Sequence, residues 1–289
     1  MAAGQFGGDD GGMTDAFPFA REDFEAIAAM VHSHAGIVLT EGKAMLVYAR
    51  LGKLVRARGL DNFRAYVALL RNDRDERARA IEALTTNHTK FFRENHHFEH
   101  FAAQVRPALL TKAARREKVR LWSAGSSSGE EVHSLMLTLL GADPQEARAI
   151  RNGDVVALAS DLNAQVLETG RRGLYPTATA QEIPMALRSA WTDMQSDGVQ
   201  MRDGVRELIR FRQLNLLHEW PIQGRFDVVF CRNTMIYFDE PTKARLISRI
   251  AEKLAPGGYL YIGHSERLVG PAANDFQSVG QTIYRKVAA

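Results

Sequence analysis

The sequence predicts an α/β protein: a Rossmann-like domain carrying a small antiparallel β-subdomain, preceded by an all-α N-terminal domain. Three observations predict it. Before about Val119 no segment alternates with the period of a strand, while four stretches repeat apolar residues at helical spacing. From Val119 onward, short apolar runs alternate with helical patterns, the signature of βαβ units and a parallel sheet covered on both faces. Between Ala190 and Leu214 a more polar run alternates like short antiparallel strands, as an insertion would.

The elements follow in order. "REDFEAIAAMVHSHAG" sets Phe24, Ile27, Met30 and Val31 on one helical face, and Gly36 is a stop signal. "GKAMLVYARLGKLVRARG" interleaves Met45, Leu46, Leu51, Leu54 and Val55 with Arg50, Lys53, Arg56 and Arg58. "NFRAYVALLRN" and "RDERARAIEALTTN" give a third and a fourth helix. The boundaries expected are a tail over 1–14, a helical domain over 15–97, a charged linker helix over 98–112, and the α/β domain over 113–289 with its insertion at 190–214. Strands are expected at "VRLWSAG", "DVVALASD", "FDVVFCRN" and "GYLYIGHS", and "FQSVGQTIYRKV" reads as two strands about a glycine.

Bulk composition excludes several classes. The 289 residues are 45% hydrophobic and 25% charged, ordinary for a globular protein, and no apolar run approaches a membrane span. The start, "MAAGQFGGDDGG", lacks the basic and apolar parts of a secretory signal. A single cysteine, Cys231, leaves no disulfide framework and fits a cytoplasmic setting. The net charge of +3 permits an acidic partner without demanding nucleic acid.

The stretch "VRLWSAGSSSGEEVHSLML" reads as strand, glycine turn and helix. Gly125–Gly129 satisfies the G-x-S-x-G spacing of serine hydrolases, and Ser127, Asp161 and His264 follow the chain order of a hydrolase triad. Against this, the preceding region is helical rather than stranded, and Glu130 and Glu131 would oppose an oxyanion formed at the turn. The other reading is a cofactor cradle: glycines in a first βα turn, then Asp161 closing the second strand, where an acid holds ribose hydroxyls. No dinucleotide fingerprint and no lysine-bearing phosphate loop is present. That combination favours a nucleoside without pyrophosphate, S-adenosylmethionine (SAM) foremost.

Further stretches make the reading specific: "LTTNHTKFFRENHHF", "LNLL" and "FDVVFCRNTMIYFDEPTK…LAPGGYLYIGHSE". With "WSAGSSSGEE" and "ASDLNAQVLETGRRGLY", the chain from about residue 15 to its end resembles the chemotaxis protein methyltransferases. These use SAM to methylate glutamates on the cytoplasmic helical domains of chemoreceptors. The resemblance implies a SAM-dependent methyltransferase domain and cofactor contacts from Asn87, Thr89, Arg93, Ala124, Glu130, Asp161, Asn215, Leu216, Asn233 and Thr234. It implies Arg93 and Tyr237 as the catalytic pair.

The partner expected is an acidic receptor helix, docked on Arg50, Lys53, Arg56 and Arg58. Relatives that tether to a receptor's C-terminal pentapeptide carry a G-x-G-x-x-x-G loop in the β-subdomain. "SDGVQMRDG" lacks that spacing, which predicts weak or no pentapeptide binding. No metal is expected, although His96, Glu99 and His100 mimic ligand spacing. Two other functions share the fold: a non-catalytic SAM-binding signalling adaptor and a nucleic-acid methyltransferase. The presence of both Arg93 and Tyr237 disfavours the first. "CRNTMIYF", standing where base methylases carry a proline-rich stretch, disfavours the second.

Overall fold

The computed structural model describes residues 17–287, so the expected 1–14 tail lies outside the described residues. The chain groups into two units: residues up to Thr86 with Tyr237–Asp239, and Asn87–Ile236 with the chain from Glu240 onward.

The first unit contains α1 (Arg21–Ala35), α2 (Ala44–Ala57), α3 (Phe63–Asn72) and α4 (Arg74–Leu84). Local chemistry sets their ends. Asp23 reaches back to accept from the Ala20 N–H at 3.0 Å, Asn62 caps α3 at the Ala65 N–H, and Asp73 caps α4 at the N–H groups of Asp75 and Glu76. Gly36 ends α1 in the left-handed conformation. Phe24, Ile27, Val31, Val47, Leu51, Val55, Phe63, Leu70 and Leu84 form the core. The apolar face of α2 differs from expectation: Met45 and Leu46 are exposed, and Ala44 and Val47 are buried in their place. Glu76 is also buried, held by the Tyr66 hydroxyl at 2.9 Å and by Arg58.

The second unit begins with α5 (His96–His100), a π-helical turn (Phe101–Val105) and α6 (Arg106–Ala114). The sequence predicts a charged linker helix over 98–112. Instead Phe98, Phe101, Val105, Leu109 and Ala113 recur three or four apart and enter the core of this unit. The division between units falls at Thr86/Asn87 rather than near 97. There follow β1 (Val119–Ala124), α7 (Glu130–Leu140), α8 (Pro144–Asn152), β2 (Val155–Asp161), α9 (Ala164–Arg172), β3 (Leu174–Tyr175), α10 (Thr177–Ala180), α11 (Met185–Trp191), β4 (Thr192–Gln195), β5 (Gly198–Met201), α12 (Asp203–Arg206), β6 (Ile209–Gln213), β7 (Phe226–Cys231), α13 (Glu240–Lys253), β8 (Leu254–Ile262), β9 (Phe276–Gly280) and β10 (Ile283–Lys286).

Seven strands form one sheet in the order β6-β2-β1-β7-β8-β10-β9, the first five parallel and the last two joined antiparallel. A second, antiparallel sheet has the order β3-β5-β4. The insertion therefore differs from the expected 190–214 at both ends. Its sheet begins at Leu174, and β6, expected within it, pairs with β2, with Ile209 and Phe211 buried. Single-strand alternation looks the same in either sheet; only the partner decides.

Candidate active site

The chain crosses from β1 to β2 on one side and later sets β7 on the other, so β1 marks the topological switch of the sheet. Ligands of open α/β sheets bind in the crevice beyond the carboxyl ends of the strands at such a point. The glycine turn follows β1, Asp161 ends β2, Asn215 and Leu216 follow β6, and Asn233 and Thr234 follow β7. Seven expected cofactor residues, Ala124 and Glu130 among them, thus stand at the carboxyl ends of four adjacent parallel strands.

The glycine turn is tightly determined. Gly125 and Ser126 both donate their N–H groups to the Ser160 carbonyl, at 2.8 and 2.9 Å. Gly125 has φ 84°, and a Cβ there would lie 2.3 Å from the Thr234 Oγ1, so only glycine lets this turn approach the loop after β7. Ser127 has φ 49°, which aims its N–H at Asp161 Oδ2, 2.8 Å away. Asp161 Oδ1 accepts from the Asn163 N–H at 3.0 Å, so backbone donors orient both carboxylate oxygens. The Ser127 hydroxyl donates to the Asn87 carbonyl, and His264 bonds to Glu94. The hydrolase triad is therefore not assembled.

Glu130, in the first turn of α7, is buried and accepts from the Ser128 hydroxyl at 2.7 Å; burial raises its carboxyl pKa. Ala124 is fully buried at the end of β1.

Arg93 sits in a strained turn. Phe92 and Glu94, on either side, have φ of 51° and 57°, a region costly for side chains of that bulk. Several contacts hold the turn. The Phe92 N–H donates to Ser134 Oγ, Arg93 Nη1 donates to the His88 carbonyl at 3.0 Å, and Arg232 Nη2 donates to the Arg93 carbonyl. Arg93 Nε stands 4.0 Å from Glu94, too far for a hydrogen bond.

Beneath it lies a buried charge cluster. Arg232 reaches Glu94 at 3.3 Å and Glu131 at 3.2 Å, with the faces of Phe98 and Phe230 within 6 Å. Glu94 also meets His264 at 3.0 Å and Asn233 Nδ2 at 3.4 Å. Burial alone would raise the Glu94 carboxyl, but the Arg232 charge, with His264, Asn233 and His97, lowers its pKa to about 2. Glu131, largely shielded from solvent, has its carboxyl pKa raised by desolvation despite Arg232.

The loop after β7 is fixed by Glu266. Its carboxylate accepts from the N–H groups of Asn233, Ile236 and Gly263, at 3.0, 3.2 and 2.6 Å. Asn233 adopts φ 55°, which asparagine tolerates better than most residues. A Cβ at Gly263 would lie 2.7 Å from the Asn233 backbone nitrogen. The Gly263-His264-Ser265-Glu266 run is thus a buttress for the Arg93 turn and for Asn233 together.

Other expected residues are placed elsewhere. Tyr237 groups with the helical unit, where its carbonyl accepts from the Val38 N–H at 2.8 Å. Arg50 closes the end of α4 through the Leu84 and Thr85 carbonyls, and Arg58 neutralises Glu76, so neither is an uncommitted docking cation. Lys53 and Arg56 are exposed. His96, Glu99 and His100 turn to Gln281, Asn95 and Tyr261 respectively, and among the described residues no cluster of three potential metal ligands forms.

The residues present fit SAM. The acid closing β2 is oriented by backbone donors, position 125 in the turn after β1 admits only glycine, and the buried Ser126 Oγ within that turn has no hydrogen-bond partner in the protein. Residues 87–285 match the CheR methyltransferase SAM-binding domain, and residues 22–85 match the CheR methyltransferase all-α domain. The chain belongs to the CheR methyltransferase family. A probable chemotaxis protein methyltransferase of Rhizobium etli is 44% identical over 89% of this chain and 96% of the relative. Chemotaxis protein methyltransferase 2 of Pseudomonas aeruginosa is 39% identical over 93% of this chain and 94% of its own length. The chemotaxis protein methyltransferase of Escherichia coli is 36% identical over 94% and 93%. Among solved structures, a SAM-bound glycopeptide N-methyltransferase covers 62% of this chain, and the chain covers 58% of it, at TM-score 0.34 and 15% identity.

This CheR-family chain uses SAM as its cofactor, and among its described residues no helix is long and apolar enough to cross a membrane. Sequence reasoning missed Glu94, Arg232 and Glu266 as parts of the site. Each lies inside a motif stretch quoted from the sequence, so a signal existed: charged residues within the motifs themselves.

Proposed function

We propose that the protein transfers a methyl group from SAM to the γ-carboxylate of glutamates on the cytoplasmic helical domains of chemoreceptors. The products are glutamate methyl esters and S-adenosylhomocysteine (SAH), and the activity serves adaptation in the cytoplasm. The observation that carries this reading is the Arg93 turn, strained on both sides and buttressed from below beside the switch-point crevice.

The bound cofactor supplies a sulfonium methyl; the carboxylate oxygen bonds to that carbon while the S–CH3 electron pair returns to sulfur. A glutamate is already ionised at neutral pH, so no strong general base is needed. What remains for the protein is positioning. Arg93 forks onto a carboxylate, either the substrate's or the cofactor's amino-acid end. Tyr237 orients the attacking oxygen. Asp161 accepts the ribose hydroxyls. Asn87, Thr89, Ala124, Glu130, Asn215, Leu216, Asn233 and Thr234 complete the cofactor contacts. Lys53 and Arg56 attract the acidic receptor helix. The β4–β5 connection is the short turn Ser196-Asp197 with no glycine-rich loop, which supports weak or no pentapeptide tethering.

Incubation with methyl-labelled SAM and a receptor cytoplasmic fragment tests the proposal. Label moves to the receptor with the wild type and falls at least a hundredfold with Arg93→Ala. Equal transfer by both proteins contradicts the role of Arg93.

A further inference from the structure

The segment 214–225 joins β6 to β7 with turns but no helix or strand, yet one distant side chain holds it at three points. Arg249, on α13, donates from Nη1 to the Leu216 carbonyl at 2.7 Å and from Nη2 to the His218 carbonyl. Its guanidinium lies 3.9 Å from the centroid of the Trp220 ring. Asn215 turns the same segment, its Oδ1 accepting from the Leu217 N–H at 2.9 Å.

The contacts continue inward. Trp220 meets Trp122 edge-on at 4.9 Å. Trp122 is fully buried in β1 and donates to Ser160 Oγ at 2.9 Å. The Ser160 carbonyl is the acceptor that fixes Gly125 and Ser126. A contiguous series of contacts therefore runs from α13 to the glycine turn. A planar fork bonding two carbonyls while stacking on indole is a task lysine cannot perform.

We infer that Arg249 is a positioning residue for the SAM site: by fixing the Leu216 and His218 carbonyls it sets the conformation of Asn215 and Leu216, and with it cofactor affinity. The stacked Trp220 reports occupancy of the site. The inference rests on the proposed cofactor role of Asn215 and Leu216.

Calorimetric titration with SAH separates the two claims. Wild type, Asn215→Ala, Arg249→Lys, Arg249→Met and Trp220→Phe are compared, each with its thermal midpoint. Both Arg249 variants are expected to bind SAH about tenfold more weakly, the equivalent of one lost hydrogen bond. SAH should change the tryptophan emission of the wild type. That change should be absent in Trp220→Phe and shifted to higher SAH in Arg249→Lys. A purely structural role would lower the thermal midpoint without moving affinity. Wild-type affinity in the Arg249 variants, with Asn215→Ala weakened, overturns the inference and leaves the segment's role intact. Wild-type affinity in Asn215→Ala overturns that role and the inference with it. Should Arg249→Met fail to fold, Arg249→Lys decides alone.

Discussion

Arg232 donates from Nη2 to the backbone carbonyl of Arg93, so a buried guanidinium following β7 holds the turn that presents a half-buried one. Arg232 is also the counter-charge for Glu94 and Glu131. Arg232→Met should leave those carboxylates uncompensated and lower stability by about 3–5 kcal/mol. Arg232→Lys keeps the charge but cannot reach three acceptors at once. It should recover most of the denaturant midpoint while methyl transfer stays low. Full recovery of transfer would mean that the Arg93 turn needs only the charge beneath it.

Gly125→Ala faces two obstacles, a positive φ and a Cβ 2.3 Å from the Thr234 hydroxyl. It should cost about 1–3 kcal/mol and weaken SAH binding. Gly125→Ala with Thr234→Ala removes the clash and leaves the strain, so thermal melts should show partial recovery. Ser127→Ala, which loses only the bond to the Asn87 carbonyl, should keep most of the methyl transfer.

His97 is fully buried between Phe230, Tyr261 and Arg232, and its burial, the Arg232 charge and His96 lower its pKa to about 3. The unfolded chain takes up that proton near pH 6.5, the folded chain only near pH 3. The His97 contribution to stability is therefore full well above pH 6.5 and is lost as the pH drops, by about 1.5 kcal/mol between pH 6.5 and 5. Glu94, depressed to about 2, titrates below this window. Urea melts of His97→Asn should show a flatter pH dependence over that range; an unchanged slope would assign the effect to other groups.

The four basic residues of α2 should divide by experiment. Arg58→Glu brings a negative charge to buried Glu76 and should lower the denaturant midpoint. Lys53→Glu with Arg56→Glu touches no buried acid and should leave the midpoint unchanged. It should nevertheless reduce receptor methylation, most strongly at low salt, because exposed charges act at long range only when unscreened. Unchanged methylation at physiological salt would remove the docking role.

Much of this was legible in the sequence because it rests on local periodicity and on motif residues. The four helices, the alternation after Val119 and the acid closing β2 are of that kind. What was not legible depends on contacts between segments distant in sequence. The helices from His96 to Ala114 look like a charged linker until their apolar stripe meets the sheet. The strand Ile209–Gln213 could pair with either sheet until β2 claims it. Arg50 and Arg58 resemble free cations until the end of α4 and Glu76 appear beside them. Glu94 and Glu266 became site residues only when three chain segments, the Glu94 turn, the Asn233 loop and the 263–266 run, converged.

The most direct test of the account is the chemical nature of the transferred methyl group. Receptor cytoplasmic fragments labelled by the protein from methyl-labelled SAM would be treated with base and volatile label collected. A glutamate methyl ester releases its label as methanol, and this is the predicted result. Label that stays on the receptor through base treatment would show an amine or other base-stable product and would contradict the proposed carboxylate chemistry.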